Sequence, residues 1–305
     1  MFRDYLFAGL KVRSEVEIAL AKLLPSGTSF VPDVEIRLCA PEKIPAENGL
    51  VDSKPQDFSF RASDNLAFRI RGGREIIIGC TPETPHSDIN LYLIGSAWGV
   101  LCHQRNLLPL HCSAVMAGHG CVAFCGPSGI GKSTLAAGLA KYGYTHICDD
   151  VATLELVQHG IRFQPVEKGL KLWRDAADAL NIVRGPRVGS HPDLDKYYVS
   201  LPTNAAAADF SVHTMYLLKC SKDGNMAINP VNGMARFEVF LHNIYRYEWA
   251  VLIRDPAELF LQVSALLEHI EIFEFTRPRD LAKFGDGLKM LSAHIKTREE
   301  HHAKI

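Results

Sequence analysis

Cys121-Val-Ala-Phe-Cys125 is a short, unbroken apolar run, and after it Leu135 and Leu139 fall four residues apart. The run suits a buried strand, and the spacing places both leucines on one face of a helix. Other stretches carry weaker patterns. Asp33–Leu38 alternates polar and apolar residues, as a half-buried strand does. Phe58–Phe60, Leu66–Ile70 and Glu75–Ile78 read as strands, the last two joined by a turn at Arg71-Gly-Gly-Arg74. Glu15–Leu24 reads as a short amphipathic helix, and 40–57, rich in proline, aspartate and lysine, as a loop. Ser87 or Asp88 can cap a helix that runs to about Gln104.

Beyond that helix, Leu107–Val115 reads as a loop entering a strand, with a turn at Gly118-His-Gly120. Tyr144–Asp150 is a strand ending in two carboxylates. Ala152–Val157 and Ile161–Phe163 flank Gln158-His-Gly160, a hairpin signal. Lys168–Leu180 reads as partly helical, 181–200 as a mobile loop, and Met215–Leu218 as a strand. From Ala235 the pattern is mainly helical, with Thr276–Asp280 starting a final helix. These elements predict an α/β fold: a small N-terminal α+β domain over 1–90 and a larger domain over 105–305. The larger domain has a mixed sheet flanked by helices and a helical C-terminal region. The early hairpins argue against a purely parallel doubly wound sheet.

Composition narrows the classes. The chain has 305 residues, 47% of them hydrophobic, and a formal net charge of −1. That supplies ample core material and no field to attract nucleic acid or an anionic membrane. The longest apolar segment, Leu91–Cys102, is too short to span a bilayer, and the N-terminal residues do not read as a signal peptide. The eight cysteines are scattered with no C-x-x-C pair; Cys121, Cys125 and Cys148 lie on expected strands and read as buried free thiols, which points to a cytoplasmic location.

Between the apolar run and the helix lies Gly126-Pro-Ser-Gly-Ile-Gly-Lys-Ser133, which fits the phosphate-loop pattern G-x-x-x-x-G-K-[ST]. Glycines at such positions let several backbone N–H groups face one anion, and the helix N-terminus adds its own donors and dipole. The nucleotide-binding candidates are therefore Gly126, Ser128, Gly129, Ile130, Gly131, Lys132, Ser133 and Thr134. Lys132 can reach the β- and γ-phosphates, and the Ser133 hydroxyl can ligate Mg2+. Asp149 and Asp150 follow at the end of the next strand. Phosphate transfer needs a carboxylate near the metal and an acceptor for the hydroxyl proton, and adjacent aspartates can divide those tasks. His111 precedes the loop and is a third candidate; Lys171, Arg187 and Lys196 are candidate phosphate or substrate cations.

Together, Leu110-His-Cys-Ser-Ala-Val115, the phosphate loop and Cys148-Asp-Asp150 resemble the catalytic domain of HPr kinase/phosphorylase, over roughly residues 108–157. The resemblance implies ATP- and Mg2+-dependent phosphorylation of a serine hydroxyl. It also implies Asp150 as general base, Asp149 near the metal and His111 in the active site. Two departures bear on the substrate. Thr134-Leu135 stands where that family has Glu-Thr, and its Glu-x-Arg-Gly-x-Gly signature is absent, with Glu167-Lys-Gly169 a fragment of it. The chain looks more like a divergent branch whose members include kinases of the C-terminal serine of lasso-peptide precursors. Leu170-Lys-Leu-Trp173 and Lys196-Tyr-Tyr198 resemble that branch. The partner implied is a serine-bearing peptide or protein, and homo-oligomerisation is left open. A small-molecule kinase and a non-catalytic nucleotide-binding regulator remain as alternatives.

Overall fold

The computed structural model describes residues 2–25, 30–44, 52–118, 120–158, 160–166, 169–201 and 210–302. The turn residues His119 and His159, the loop residues 45–51 and Glu167 lie outside the described residues. The chain is a mixed α/β protein that divides into two compact units. Among the described residues no helix is long and apolar enough to cross a membrane.

The first unit comprises Met1–Pro109, Val188–Leu194 and Tyr245–Leu259. Its sheet runs, edge to edge, Lys22–Leu23, Arg3–Phe7, Leu10–Ser14, Val34–Cys39, Glu75–Cys80, Leu66–Arg71, Asp57–Ser63 and Asp52–Lys54. The alternation read at Asp33–Leu38 appears as buried Val34 and Ile36. The helix expected to run to about Gln104 is two helices, His86–Tyr92 and Trp98–Gln104, joined by a π-helical turn at Leu93–Ala97. Phe7 meets the Trp98 ring edge-on at 4.7 Å. Trp249 packs on Phe58 and Phe60 at 5.2 and 4.9 Å, which ties Tyr247–Ile253 to this unit. The helix expected over Glu15–Leu24 does not form. Val16 and Ile18 are buried and Glu17 is exposed, a period of two, and the chain then turns at Ala19–Leu20, with Leu20 at φ +63°, before the short strand Lys22–Leu23.

The second unit, Leu110–Arg187, Asp195–Ile244 and Phe260–Ile305, holds the phosphate-loop sequence. Gly120–Cys125 is buried along its whole length, as its unbroken apolar sequence requires. It pairs antiparallel with Leu108–Ala117 and parallel with Phe210–Cys220. Phe210–Cys220 pairs parallel with Glu271–Arg277, which pairs antiparallel with Ala227–Pro230. On the other side, Thr145–Cys148 and Val151–Val157 neighbour Leu108–Ala117, and Gly160–Pro165 returns to Phe210–Cys220 through Arg162 and Ser211. The sheet is thus mixed and closes partly on itself. Helices Lys132–Leu139 and Phe284–His302 cover one face, with Leu135, Leu139, Leu288 and Leu291 packed on Val122, Phe124 and Phe275. They approach so closely that a Cβ at Gly138 would lie 2.7 Å from Leu288.

Three local expectations are corrected. Segment 181–200 is not simply a loop. Arg184–Arg187 and Lys196–Val199 pair, and Leu170–Trp173 joins them in a small sheet before the helix Arg174–Ala179. Arg184–Arg187 is exposed throughout, so neither burial nor a hydrophobic period marks it; its cross-strand pairing makes the strand. Thr276 and Arg277 end the strand Glu271–Arg277 instead of starting a helix; Asp280 caps a 3-10 turn at Leu281–Lys283, and the final helix begins at Phe284. The region after Ala235 also includes this buried strand, so it is less helical than its composition suggests.

Candidate functional site

The loop leaves the buried strand at Gly126 and enters the helix at Gly131, both with positive φ, 136° and 99°. Pro127, Ser128 and Gly129 are exposed, while Gly126 and Lys132 are buried. The Lys132 ammonium folds back onto its own loop and donates to Gly126 O at 2.7 Å and Pro127 O at 3.2 Å. Burial lowers its pKa, against the opposing pull of Cys125, Asp150 and Asp149. The loop therefore holds a cation over its first carbonyls, on a short tether that can turn toward an anion. Ser133 and Thr134 occupy the first turn of the following helix and are partly exposed.

The two aspartates lie where one strand stops and the next begins. Thr145–Cys148 ends just before Asp149, and Val151–Val157 starts just after Asp150. Asp150 takes φ +65°, a left-handed conformation that aspartate tolerates better than most residues. The alternation of a continuous strand therefore does not govern where their side chains point.

Asp149 is fully buried, and its carboxylate accepts hydrogen bonds at both oxygens. Its Oδ1 accepts from Ser133 Oγ at 2.8 Å and from Ser113 Oγ; its Oδ2 accepts from the Lys171 backbone N–H at 3.0 Å. Ser113 is a residue that the motif reading missed. Its signal was available: it lies two residues after His111 on the strand Leu108–Ala117, so both face the same side.

Asp150 meets cations. Lys171 Nζ donates to its Oδ2 at 2.5 Å, and Lys196 Nζ lies 4.0 Å from Oδ1. Burial alone would raise the Asp150 pKa. The charges of Lys171 and Lys196, the Lys171 hydrogen bond and the charge of His111 outweigh it and hold the carboxyl far below its usual range. Backbone bonds fix this neighbourhood: Cys112 N–H donates to Asp150 O at 3.2 Å, and His111 N–H to Asn243 O at 2.8 Å. Beside them, Cys112 and Cys148 are buried thiols in mutual contact. Its hydrogen bond with Cys148 and burial raise the Cys112 pKa, which marks it as an inert packing group.

The structure thus brings Ser133, Asp149, Asp150, Lys171 and Lys196 together, with His111 acting on Asp150. Arg187 is different. It is exposed on the strand Arg184–Arg187, and its charge acts on Asp195, which is clamped by Arg174 at 2.6 Å. A second residue missed in the sequence is Arg277, at the end of Glu271–Arg277, whose Nη2 donates to Ile130 O of the loop at 3.2 Å. The separation of 147 residues between Ile130 and Arg277 hides this contact from any local pattern.

No protein-family model matches the chain, and no curated protein matches it. Among solved structures, it is similar to an Hpr(Ser) kinase/phosphatase from Coxiella burnetii. The match covers 64% of this chain and 95% of that one, at 13% identity and a TM-score of 0.31. A likeness that slight assigns neither substrate nor activity.

Proposed function

We propose that the chain is a magnesium- and ATP-dependent kinase that phosphorylates a serine hydroxyl of a peptide or protein. One observation carries this reading. The serine that follows the loop lysine, a buried aspartate and a second carboxylate flanked by two lysines all meet beside a glycine loop at a helix N-terminus. A loop that merely turned between strand and helix would need none of them.

The chemistry follows from those residues. Loop and first-turn N–H groups bind the phosphates, and Lys132 exchanges its two carbonyls for the β- and γ-oxygens. The acceptor oxygen attacks the γ-phosphorus, the bond from that phosphorus to the β–γ bridging oxygen breaks, ADP departs and the hydroxyl proton passes to Asp150. A carboxylate held so far below its usual range is a weak base. In a loose transition state the proton leaves late, so aligning the hydroxyl matters more than basicity. Lys171 and Lys196 set the charge around that carboxylate and can share the charge that spreads over the equatorial oxygens.

A hard divalent cation suits the oxygen donors present, with Ser133 Oγ and the Asp149 carboxylate as the groups that would hold it. When bound, magnesium neutralises the β- and γ-oxygens. Asp149 orients the Ser133 hydroxyl and is itself fixed by Ser113 and the Lys171 N–H. Asp149→Asn removes an acceptor from this buried hub, so it should weaken magnesium-dependent ATP binding and lower the melting temperature together. Calorimetric titration with and without magnesium, beside a thermal melt, checks this. An unchanged magnesium dependence would remove Asp149 from the metal site.

The acceptor class rests on the family resemblance, and the C-terminal serine of a lasso-peptide precursor is the first acceptor to test. Mass spectrometry after incubation with magnesium and ATP should find one added phosphate on serine in such a peptide. If only small alcohols gained phosphate, the chain would be a small-molecule kinase. If ATP bound and nothing was phosphorylated, the regulatory reading would replace it.

A further inference from the structure

Among the described residues, Arg277 is a buried cation with no carboxylate in contact. It lies at the end of the strand Glu271–Arg277 and is 8% exposed. Nη2 donates to Ile130 O at 3.2 Å, Nη1 to Pro278 O at 3.3 Å, and the guanidinium sits 5.4 Å over the Phe284 ring. Nε has no hydrogen-bond partner. Burial lowers its pKa, and the charges acting on it are those of Cys220 and Arg279, with no carboxylate among them. A buried guanidinium with no counter-ion is costly, and replacing such a group by an apolar one often leaves stability unchanged or raises it. Stability therefore does not account for its position, whereas an anion arriving at the loop would.

Its contact with the loop is specific. A trans peptide is planar, with C=O and N–H pointing in opposite directions. Holding Ile130 O against Arg277 therefore turns the N–H of Gly131 away from Arg277. Gly131 is the residue at which the loop becomes helix, at φ +99°. The contact leaves no room for a side chain there, since a Cβ on Gly131 would lie 2.6 Å from Nη2. Lys132 holds the carbonyls at the other end of the loop, Gly126 and Pro127, but must release them to bind phosphate. Arg277 has no such conflict.

We propose that Arg277 is a positioning residue for anion binding: it pins the Ile130–Gly131 peptide so that its N–H faces the phosphates, and it supplies a second fixed positive charge once Lys132 has moved onto them. This rests on the reading of the loop as a phosphate site.

The test uses the full chain with two probes, magnesium–ATP and inorganic tripolyphosphate, in Arg277→Met and Arg277→Lys variants. Losing a charge-assisted hydrogen bond and its charge should weaken both probes about tenfold or more in Arg277→Met. Arg277→Lys should recover part of that loss, since it restores the charge and one donor. The ligand-free melting temperature of Arg277→Met should stay level or rise, because an unpaired buried charge is gone. If the original protein binds the probes and Arg277→Met binds them equally well, the inference is wrong and the phosphate site stands. It is equally wrong if affinity falls alongside the ligand-free melting temperature and Arg277→Lys recovers neither, since Arg277 would then be a structural strut. If the original protein binds neither probe, the phosphate-site reading fails and takes the inference with it.

Discussion

Asp150→Asn is expected to lower phosphate transfer by about 10²- to 10⁴-fold while magnesium–ATP affinity stays within about threefold, because a positioned proton acceptor acts on the chemical step alone. The structure adds a complication that must be controlled. Lys171 has a side chain only 4% exposed and pairs with Asp150 at 2.5 Å. Removing the carboxylate charge takes a counter-charge from a buried ammonium, and breaking such a pair costs up to about 3 kcal/mol when one partner is partly exposed. Asp150→Asn should therefore melt lower as well as turn over slowly. A double variant, Asp150→Asn with Lys171→Met, separates the two effects by removing the buried ammonium as well. It should regain melting temperature and not activity. Recovery of transfer in the double variant would mean that Asp150 is only the counter-charge of Lys171.

The same pair fixes a pH dependence. The Asp150 carboxyl is held well below its ordinary value of 3.8. A depressed carboxyl pKa contributes stability that is complete above the unfolded value and is lost as pH falls from there toward the folded one. Asp150 should thus contribute steadily above about pH 5 and give up its contribution only in strong acid. It should also leave no limb in a pH–rate profile between about pH 5 and 8, where it stays ionised throughout. A rate limb in that range that vanished in Asp150→Asn would contradict the assignment of its charge state.

The second large effect concerns Lys132. Its ammonium donates to two loop carbonyls and is positioned to exchange them for phosphate oxygens. Each charge-assisted hydrogen bond is worth about 1.5–3 kcal/mol, so Lys132→Ala should weaken magnesium–ATP binding by roughly 10- to 10³-fold. The cost to the fold should be small, because among the described residues Lys132 makes no ion pair, and its burial already disfavours its charge. Calorimetry of ATP against AMP gives the sharper check. The loss should be large for ATP and slight for AMP, which lacks the β- and γ-phosphates. Equal losses for both would place Lys132 near the nucleoside end or assign it a structural role.

Much of this was legible in the sequence, because local chemistry fixes it. Cys121–Cys125 must be a buried strand because it has no polar residue to show to water, and it is. The glycines must take positive φ where the chain curls around an anion, and Gly126, Gly129 and Gly131 do. Lys132 and Ser133 follow from that turn by chain continuity alone. That Asp149 and Asp150 close a strand was also readable, from the apolar residues before them.

Tertiary structure decided the rest. Glu15–Leu24 has residues that suit either a helix or an extended segment, and the choice went to Val16 and Ile18 reaching the core on a period of two. The strands Arg184–Arg187 and Lys196–Val199 bear no hydrophobic pattern because they are held by pairing, and pairing brings Lys196 to Asp150 while leaving Arg187 outside. Which aspartate is buried and which meets the lysines could not be read from adjacent identical letters. It depends on Ser113, on the Lys171 backbone and on the left-handed turn at Asp150. Arg277 comes from a strand far along the chain, parallel to the neighbour of the loop strand. Sequence determines what a short segment can do by itself. A parallel sheet joins segments that are remote in sequence, so only the folded chain could set this arginine against Ile130.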